Sequence, residues 1–334
     1  EENVAPIMWS GGLLQLLQVL GTGRAGPERS DVACEAAIRA LTCLARSDEA
    51  AGGVIRGGGV QLLVETLRTT HSDGLMEAVA SALSALLAVD DAAQEAVMSA
   101  GGVLPLVHML DHSMSAVREA AANAVLGLAV CERNRAAIAW AGAIPPLVRL
   151  LSTGSPRAKE AAAQSLWSLA VSSENKTAIA QAGCIPPLVE MLKNRDGNTP
   201  HGQEAAAKAL WNLAVAPSNK AAIASAGGLL PLVSLLSSSM QAAQESAAGA
   251  LLELALSETN RRTIADLGAL PLLVHLLVTT ERMEMKEAVA GALCNLVCDD
   301  SNKSTIADSG GVEALIQLLI IPAGADCGGG TCEA

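Results

Sequence analysis

The chain has 334 residues, of which 51 % are hydrophobic, and it contains four Trp but no Phe or Tyr. Its formal net charge of −12 argues against sequence-independent phosphate binding and favours a basic protein segment over nucleic acid as a partner. The sequence contains no run of 18 apolar residues, and its first residues lack the basic flank of a signal peptide. We therefore expect neither a membrane-spanning segment nor secretion.

The eight cysteines form no CxxC pair, and four of them, Cys34, Cys43, Cys294 and Cys298, fall on predicted helices. This distribution favours reduced thiols. It predicts an intracellular protein, in the cytoplasm first, with the nucleus or the cytoskeleton as alternatives.

One pattern recurs along almost the whole chain. Eight glycines are spaced 41 to 47 residues apart, each with Ile or Val four residues earlier and six with Asn eight residues earlier. These anchor glycines are Gly11, Gly58, Gly101, Gly142, Gly183, Gly227, Gly268 and Gly310. A period of about 42 residues predicts a solenoid, one continuous domain in which each repeat is buried by its neighbours.

Each repeat carries three helix signals. The first helix runs from the Asn to the anchor glycine; we expect the Asn to cap backbone N–H groups and the glycine to adopt a positive φ. The second helix follows at once, often with Pro in its first turn, as at Pro145, Pro186, Pro231 and Pro271. The third helix is the longest.

The third helices share a register, numbered here from position zero at Asn212. Leu occupies +1 in all seven copies and Leu or Val occupies −2, so these positions are predicted to face the core. Positions −3 and −7 are Ala or Ser, for example Ala209 and Ala205, which lets successive third helices approach closely. Positions −4 and zero are polar or small, and this arc is predicted to be the exposed face.

The exposed arc supplies the candidate binding residues. Trp167 and Trp211 lie one residue before position zero, on a flank that either packs between helices or contacts a partner. The candidates are Asn123, Gln164, Trp167, Ser168, Lys208, Trp211, Asn212, Glu253 and Asn295.

The register also gives the domain organisation. Repeats are predicted at residues 1–47, 48–89, 90–131, 132–172, 173–216, 217–257 and 258–299, with a partial repeat at 300–321 and a Gly-rich tail at 322–334. The partial repeat has no third helix, so its apolar end is expected to be covered by another segment, a partner or a second copy. Joints at 21–30 and 193–203 are predicted to be surface loops.

The N-x3-I-x3-G, IPPLVxLL and E-A-A-x3-L-x-N-L-A blocks resemble armadillo repeats over residues 1–321. The resemblance implies an all-α fold, a right-handed α-solenoid (superhelix) with about seven full repeats plus a partial C-terminal one. It implies a concave groove, lined by third helices, that holds partner segments. Asn at position zero would bond the backbone of the bound peptide, and this chain has it at Asn212 and Asn295. The Trp that nuclear import receptors carry at −4 is absent, which disfavours that role.

Two further features have a structural and a functional interpretation. Glu occupies position −8 in every third helix, either complementing the helix dipole in the first turn or steering a basic partner. His108 and His112 have the i, i+4 spacing of metal ligands, but no further ligand lies nearby in the sequence. We expect no metal, no cofactor and no catalytic residues.

The sequence therefore predicts a non-catalytic scaffold or adaptor that binds an extended or helical segment of a partner protein in the third-helix groove. The alternative is a structural component of a larger assembly, of the axonemal or vesicle-associated type, that docks through its ends or convex face. The substrate-binding part of a ubiquitin ligase and a nuclear import receptor are further alternatives. Self-association through the C-terminal end is an additional expectation.

Overall fold

The computed structural model describes residues 11–22, 31–193 and 199–319. Within these ranges the chain forms 22 α-helices and no β-strand. The helices are α1 (Gly12–Thr22), α2 (Asp31–Leu44), α3 (Asp48–Arg56), α4 (Gly59–Thr69), α5 (Asp73–Leu87), α6 (Asp91–Ser99), α7 (Val103–Met109), α8 (Ser115–Ala129), α9 (Glu132–Trp140), α10 (Ile144–Thr153), α11 (Pro156–Leu169), α12 (Ser173–Gln181), α13 (Ile185–Leu192), α14 (Pro200–Ala214), α15 (Pro217–Ser225), α16 (Leu229–Leu235), α17 (Gln241–Leu254), α18 (Glu258–Asp266), α19 (Ala269–Thr279), α20 (Met283–Leu296), α21 (Asp300–Asp308) and α22 (Gly311–Leu319).

The chain divides into two compact units, residues 1–213 and 214–334. In the first unit the third helices α2, α5, α8 and α11 pack against one another in chain order, and each second helix packs on its own third helix. In the second unit α17 and α20 pack in the same way, with α16 and α19 as their second helices. Both units therefore repeat one arrangement of three helices.

From Gly58 onward, the anchor glycines make the turn between first and second helices. All eight anchor glycines, Gly11 included, have φ between +69° and +81°, and they are the only residues with positive φ in the described part of the chain. The turn sets the two helices nearly at right angles, 88° between α9 and α10 and 81° between α18 and α19. The predicted positive φ is confirmed at every anchor glycine, because a residue without a Cβ enters this region at little cost.

The core follows the predicted register. The Leu at +1 and the Leu or Val at −2 are buried in all seven third helices, as is the Ile or Val four residues before the anchor glycines at 58 to 310. Ala or Ser at −3 and −7 is buried from the second repeat onward, for example Ala82, Ala161 and Ala209. Burial of these small side chains allows the close approach of successive third helices.

Four first-helix asparagines in the described part of the chain bond a main-chain carbonyl and do not cap N–H groups. Asn134, Asn175, Asn260 and Asn302 are each the third residue of their helix and donate from Nδ2 to a main-chain carbonyl six residues earlier, over 2.9 to 3.2 Å. That carbonyl belongs to the Leu at +1 of the preceding third helix. The predicted capping was therefore wrong: the amide satisfies an orphan carbonyl at a helix C-terminus.

Several predictions fall outside the described residues. They concern Asn3 and Ile7 of the first repeat, most of both predicted joints, and the tail at 322–334. The repeat boundaries remain a prediction.

No single helix in the described ranges is long and apolar enough to cross a bilayer. Two bent pairs of helices have the required length and composition only when the two helices of a pair are counted together.

Candidate functional site on the third helices

The candidate residues are carried by five third helices. Asn123 lies on α8, residues 164–168 lie on α11 and residues 208–212 lie on α14, whereas the second unit contributes Glu253 on α17 and Asn295 on α20. All are half-buried except Ser168, which is only 5 % exposed.

The predicted exposure of Ser168 was wrong. At the equivalent position of α8, a Cβ added to Gly127 would lie 2.8 Å from the Leu87 side chain of the preceding third helix. Successive third helices thus approach closely at position zero. The Ser168 side chain is therefore covered by its neighbours, whereas Cys43, at the same position of α2, is exposed.

The two asparagines at position zero share one geometry. Asn212 donates from Nδ2 to the carbonyl oxygen of Trp167 at 3.2 Å, and Asn295 donates to that of Leu252 at 2.9 Å. Each bond runs to position −1 of the preceding third helix and fixes the orientation of the amide. Because an Asn amide has two N–H donors and one acceptor oxygen, one N–H and the oxygen of each are left without a partner among the described residues and can bond another molecule.

A tryptophan, a lysine and a glutamate form one cluster beside Asn212. Lys208 Nζ lies 5.3 Å from the ring centroid of Trp167 and 2.6 Å from Glu204 Oε1. The first distance is that of a cation–π contact. One face of Trp167 is thus already in contact with a cation of the protein itself. Trp211, one turn after Lys208 on α14, is half-buried.

Glu253 is neutralised by a lysine that sequence reasoning missed. Lys220 Nζ donates to Glu253 Oε2 at 2.9 Å, to the Glu253 carbonyl at 2.8 Å and to the Ala214 carbonyl at 2.6 Å. All three ammonium protons are used. The sequence does contain a pattern that points to Lys220, since a basic residue follows the Asn in five first helices. These residues are Arg135, Lys176, Lys220, Arg261 and Lys303.

The remaining two amides are free. Asn123 and Gln164 are half-buried, and within the described residues neither side chain makes a hydrogen bond. An amide at a half-buried position offers both a donor and an acceptor to a partner.

The glutamates at −8 are each the fifth residue of their third helix, beyond the first turn, so the first-turn explanation was wrong. Three of them, Glu119, Glu160 and Glu245, contact the next repeat. Ser155 Oγ donates to Glu119, and Thr199 Oγ1 donates to Glu160 at 3.1 Å; in both pairs the hydroxyl precedes the N-terminus of the next third helix. These carboxylates are engaged within the protein, which weakens the steering interpretation.

The structure also shows the surroundings of His112, one of the two histidines with the spacing of metal ligands. His112 Nδ1 accepts a hydrogen bond from the Met114 N–H, and its Nε2 lies 3.4 Å from Asp73 Oδ1. Within the described residues, no group of three His, Cys, Asp or Glu side chains could hold a metal ion.

Cys184 is a buried thiol. Burial raises the pKa of this thiol to about 12, which keeps it protonated at neutral pH.

Comparison with known proteins agrees with this architecture. The family model for the Armadillo/beta-catenin-like repeat matches residues 131–171, 172–215, 216–256 and 257–298. No curated protein matches the sequence.

Solved structures extend the likeness to nearly the whole chain. An engineered protein is 33 % identical, with a TM-score of 0.82 over 97 % of this chain and 77 % of its own. A designed armadillo repeat protein for modular peptide recognition has a TM-score of 0.62 and 25 % identity over 71 % of this chain and 99 % of its own. A designed armadillo repeat protein in complex with the peptide (KR)4 has a TM-score of 0.60 and 25 % identity over the same shares. The chain therefore belongs to the armadillo repeat family, and its fold is an all-α solenoid of such repeats.

Proposed function

We propose that this protein is a non-catalytic scaffold or adaptor that binds a segment of a partner protein on the face formed by its third helices. The observation that carries the proposal is the shared geometry of Asn212 and Asn295. Each amide is fixed by one internal bond and keeps a donor and an acceptor, the pair of groups that a main-chain peptide unit requires.

The neighbouring side chains support binding in the same place. Asn123 and Gln164 present amides that bond no other described residue, and half-buried Trp211 offers the rigid apolar surface common in binding hot spots. A partner segment would thus meet main-chain hydrogen bonds and apolar contacts on one face.

The partner we propose is a basic segment, extended or helical. The chain carries a net charge of −12, and a designed relative forms a complex with the peptide (KR)4. Opposite charge accelerates encounter and selects against acidic competitors. The internal bonds of the −8 glutamates mean that attraction comes from the overall charge more than from that row.

The test begins with identification of the partner by affinity capture with crosslinking. Peptides from the crosslinked segment are then titrated by fluorescence polarisation against the wild type and against Asn212→Ala and Asn295→Ala. Because each variant removes one or two net hydrogen bonds, each should weaken binding by about three- to tenfold.

Gln181→Ala is the matched control, since it removes an exposed amide from the first helix α12. It should bind as the wild type does, and far-UV circular dichroism should show equal helicity for all variants. Unchanged affinity in both position-zero variants would show that the partner binds elsewhere.

One observation favours the alternative of an assembly component that docks through another face. Trp140, at the end of the first helix α9, is 92 % exposed. An aromatic side chain of that size in solvent is a typical interface anchor. Under this alternative, Trp140→Ser releases the captured partner while Asn212→Ala retains it.

A further inference from the structure

The first unit has a surface cavity between the second helices of its second and third repeats. Its volume is about 520 Å³, within the range of about 300 to 1,000 Å³ common for small-molecule sites. Apolar walls come from Leu67 on α4, Met76 on α5, and Leu104, Pro105 and Met109 on α7. Leu104 is 51 % exposed, so an apolar group entering the cavity would remove its side chain from water.

A fixed cation stands at the same cavity. Arg68 Nη2 donates to the Gly101 carbonyl oxygen at 3.1 Å, which holds the guanidinium among the lining residues. Within the described part of the chain, Arg68 makes no ion pair with a carboxylate. His108 adds an imidazole to the lining. The cavity thus combines apolar walls with a positive charge whose counter-ion is missing from the described residues.

A cleft at the same place in the repeat occurs in the second unit and lacks that charge. It measures about 320 Å³ and is lined by residues that include Leu236, Ser237 and His275. Arg68 and Ser237 both stand ten residues after their anchor glycine. The guanidinium is therefore a feature of the first cavity and not of the repeat.

We propose that the cavity binds a small monocarboxylate with an aliphatic or aromatic body. The carboxylate pairs with the free N–H groups of Arg68, since guanidinium and carboxylate match in a two-bond geometry. The apolar body lies against Leu67, Met76 and Leu104. This site is independent of the partner-binding face on the third helices.

The experiment uses the full chain labelled with ¹³C in the methionine methyl groups. Octanoate is titrated below its micellar concentration, and octylamine, of equal chain length and opposite charge, serves as the matched probe. Met76 and Met109 should shift saturably with octanoate, and Met98, which lines a different surface cleft, should stay unmoved. Octylamine should bind at least several-fold more weakly.

Two variants test the assigned roles. Arg68→Ser, which installs the residue of the second cleft, should weaken octanoate binding about tenfold or more, because a charge-assisted pair is lost. Leu104→Ser should also weaken it, whereas Leu230→Ser should not: Leu230 has the same place in its repeat and is 57 % exposed, but lies in the other unit.

Three outcomes would overturn the proposal: no saturable shift at Met76 and Met109, equal affinity for the two probes, or full affinity in Arg68→Ser. Arg68 is exposed, so the third outcome can be measured even if Leu104→Ser fails to fold.

Discussion

Replacing the buried amide of Asn260 tests whether the first-helix asparagines are structural. Asn260 is 4 % exposed and donates to the Leu254 carbonyl at 3.2 Å, at the C-terminus of α17. Asn260→Ala leaves that carbonyl without its side-chain partner in a place that water reaches poorly, at a cost of about 1 to 3 kcal/mol. Asn260→Asp keeps the size but sets a carboxylate oxygen against the carbonyl oxygen, so it should destabilise at least as much.

The assay is urea unfolding followed by circular dichroism at 222 nm, with amide hydrogen exchange at the end of α17 as the local measurement. The matched control is Asn212→Ala, which removes the same kind of bond at a half-exposed position where water can replace the donor. We expect the cost to be larger at Asn260 than at Asn212. A change below about 0.5 kcal/mol in Asn260→Ala, the level of an ordinary surface substitution, would refute the reasoning.

The other stability predictions concern a turn, an ion pair and a thiol. Gly183 has φ +81° and an added Cβ would touch nothing within 4 Å, so Gly183→Ala should cost about 1 to 2 kcal/mol in urea unfolding through backbone strain alone, and Gly183→Asn less. Lys220→Met leaves the Glu253 carboxylate without its cation and should lower the free energy of unfolding by about 2 to 3 kcal/mol. This is less than the cost for a fully buried pair, because Glu253 keeps some solvent contact. The double variant Lys220→Met with Glu253→Gln should recover part of the lost stability. Cys184 should resist a thiol reagent at pH 8 until the protein unfolds, whereas exposed Cys298 should react at once. Burial raises the pKa of the Cys184 thiol to about 12, whereas the pKa of the unfolded thiol is about 8.5. The contribution of this thiol to stability is therefore present below the unfolded pKa and is lost as pH rises between the two values. The free energy of unfolding in urea should be lower at pH 10 than at pH 8.

Local sequence was sufficient to predict the turns and the core. A glycine four residues after an Ile or Val marks a helix end, with Asn a further four residues earlier in six of the copies, and all eight anchor glycines adopt the positive φ that glycine permits. The Leu at +1 and the Leu or Val at −2 follow helical periodicity, which depends only on neighbours along one helix. These features need no knowledge of how repeats meet.

Features that depend on contacts between repeats were not predictable in the same way. An Asn near a helix start normally indicates a cap for N–H groups, and only the packed structure brings Asn134 to the carbonyl of Leu128. The burial of Ser168 depends on the neighbouring helix, and the pairing of Lys220 with Glu253 joins residues 33 positions apart. Periodicity fixes which face a side chain occupies, but not its partner across the interface.

The bond from a first-helix Asn to the preceding third helix, made by Asn134, Asn175, Asn260 and Asn302, bears on where the array can be shortened. A truncation placed between α11 and α12, for example, removes Asn175 from the Leu169 carbonyl and leaves a frayed end. A cut after Gly183 keeps that donor with the helix it stabilises. In an engineered fragment the natural module is therefore offset by one helix from the sequence repeat, beginning with the second helix and ending with the first helix of the next copy.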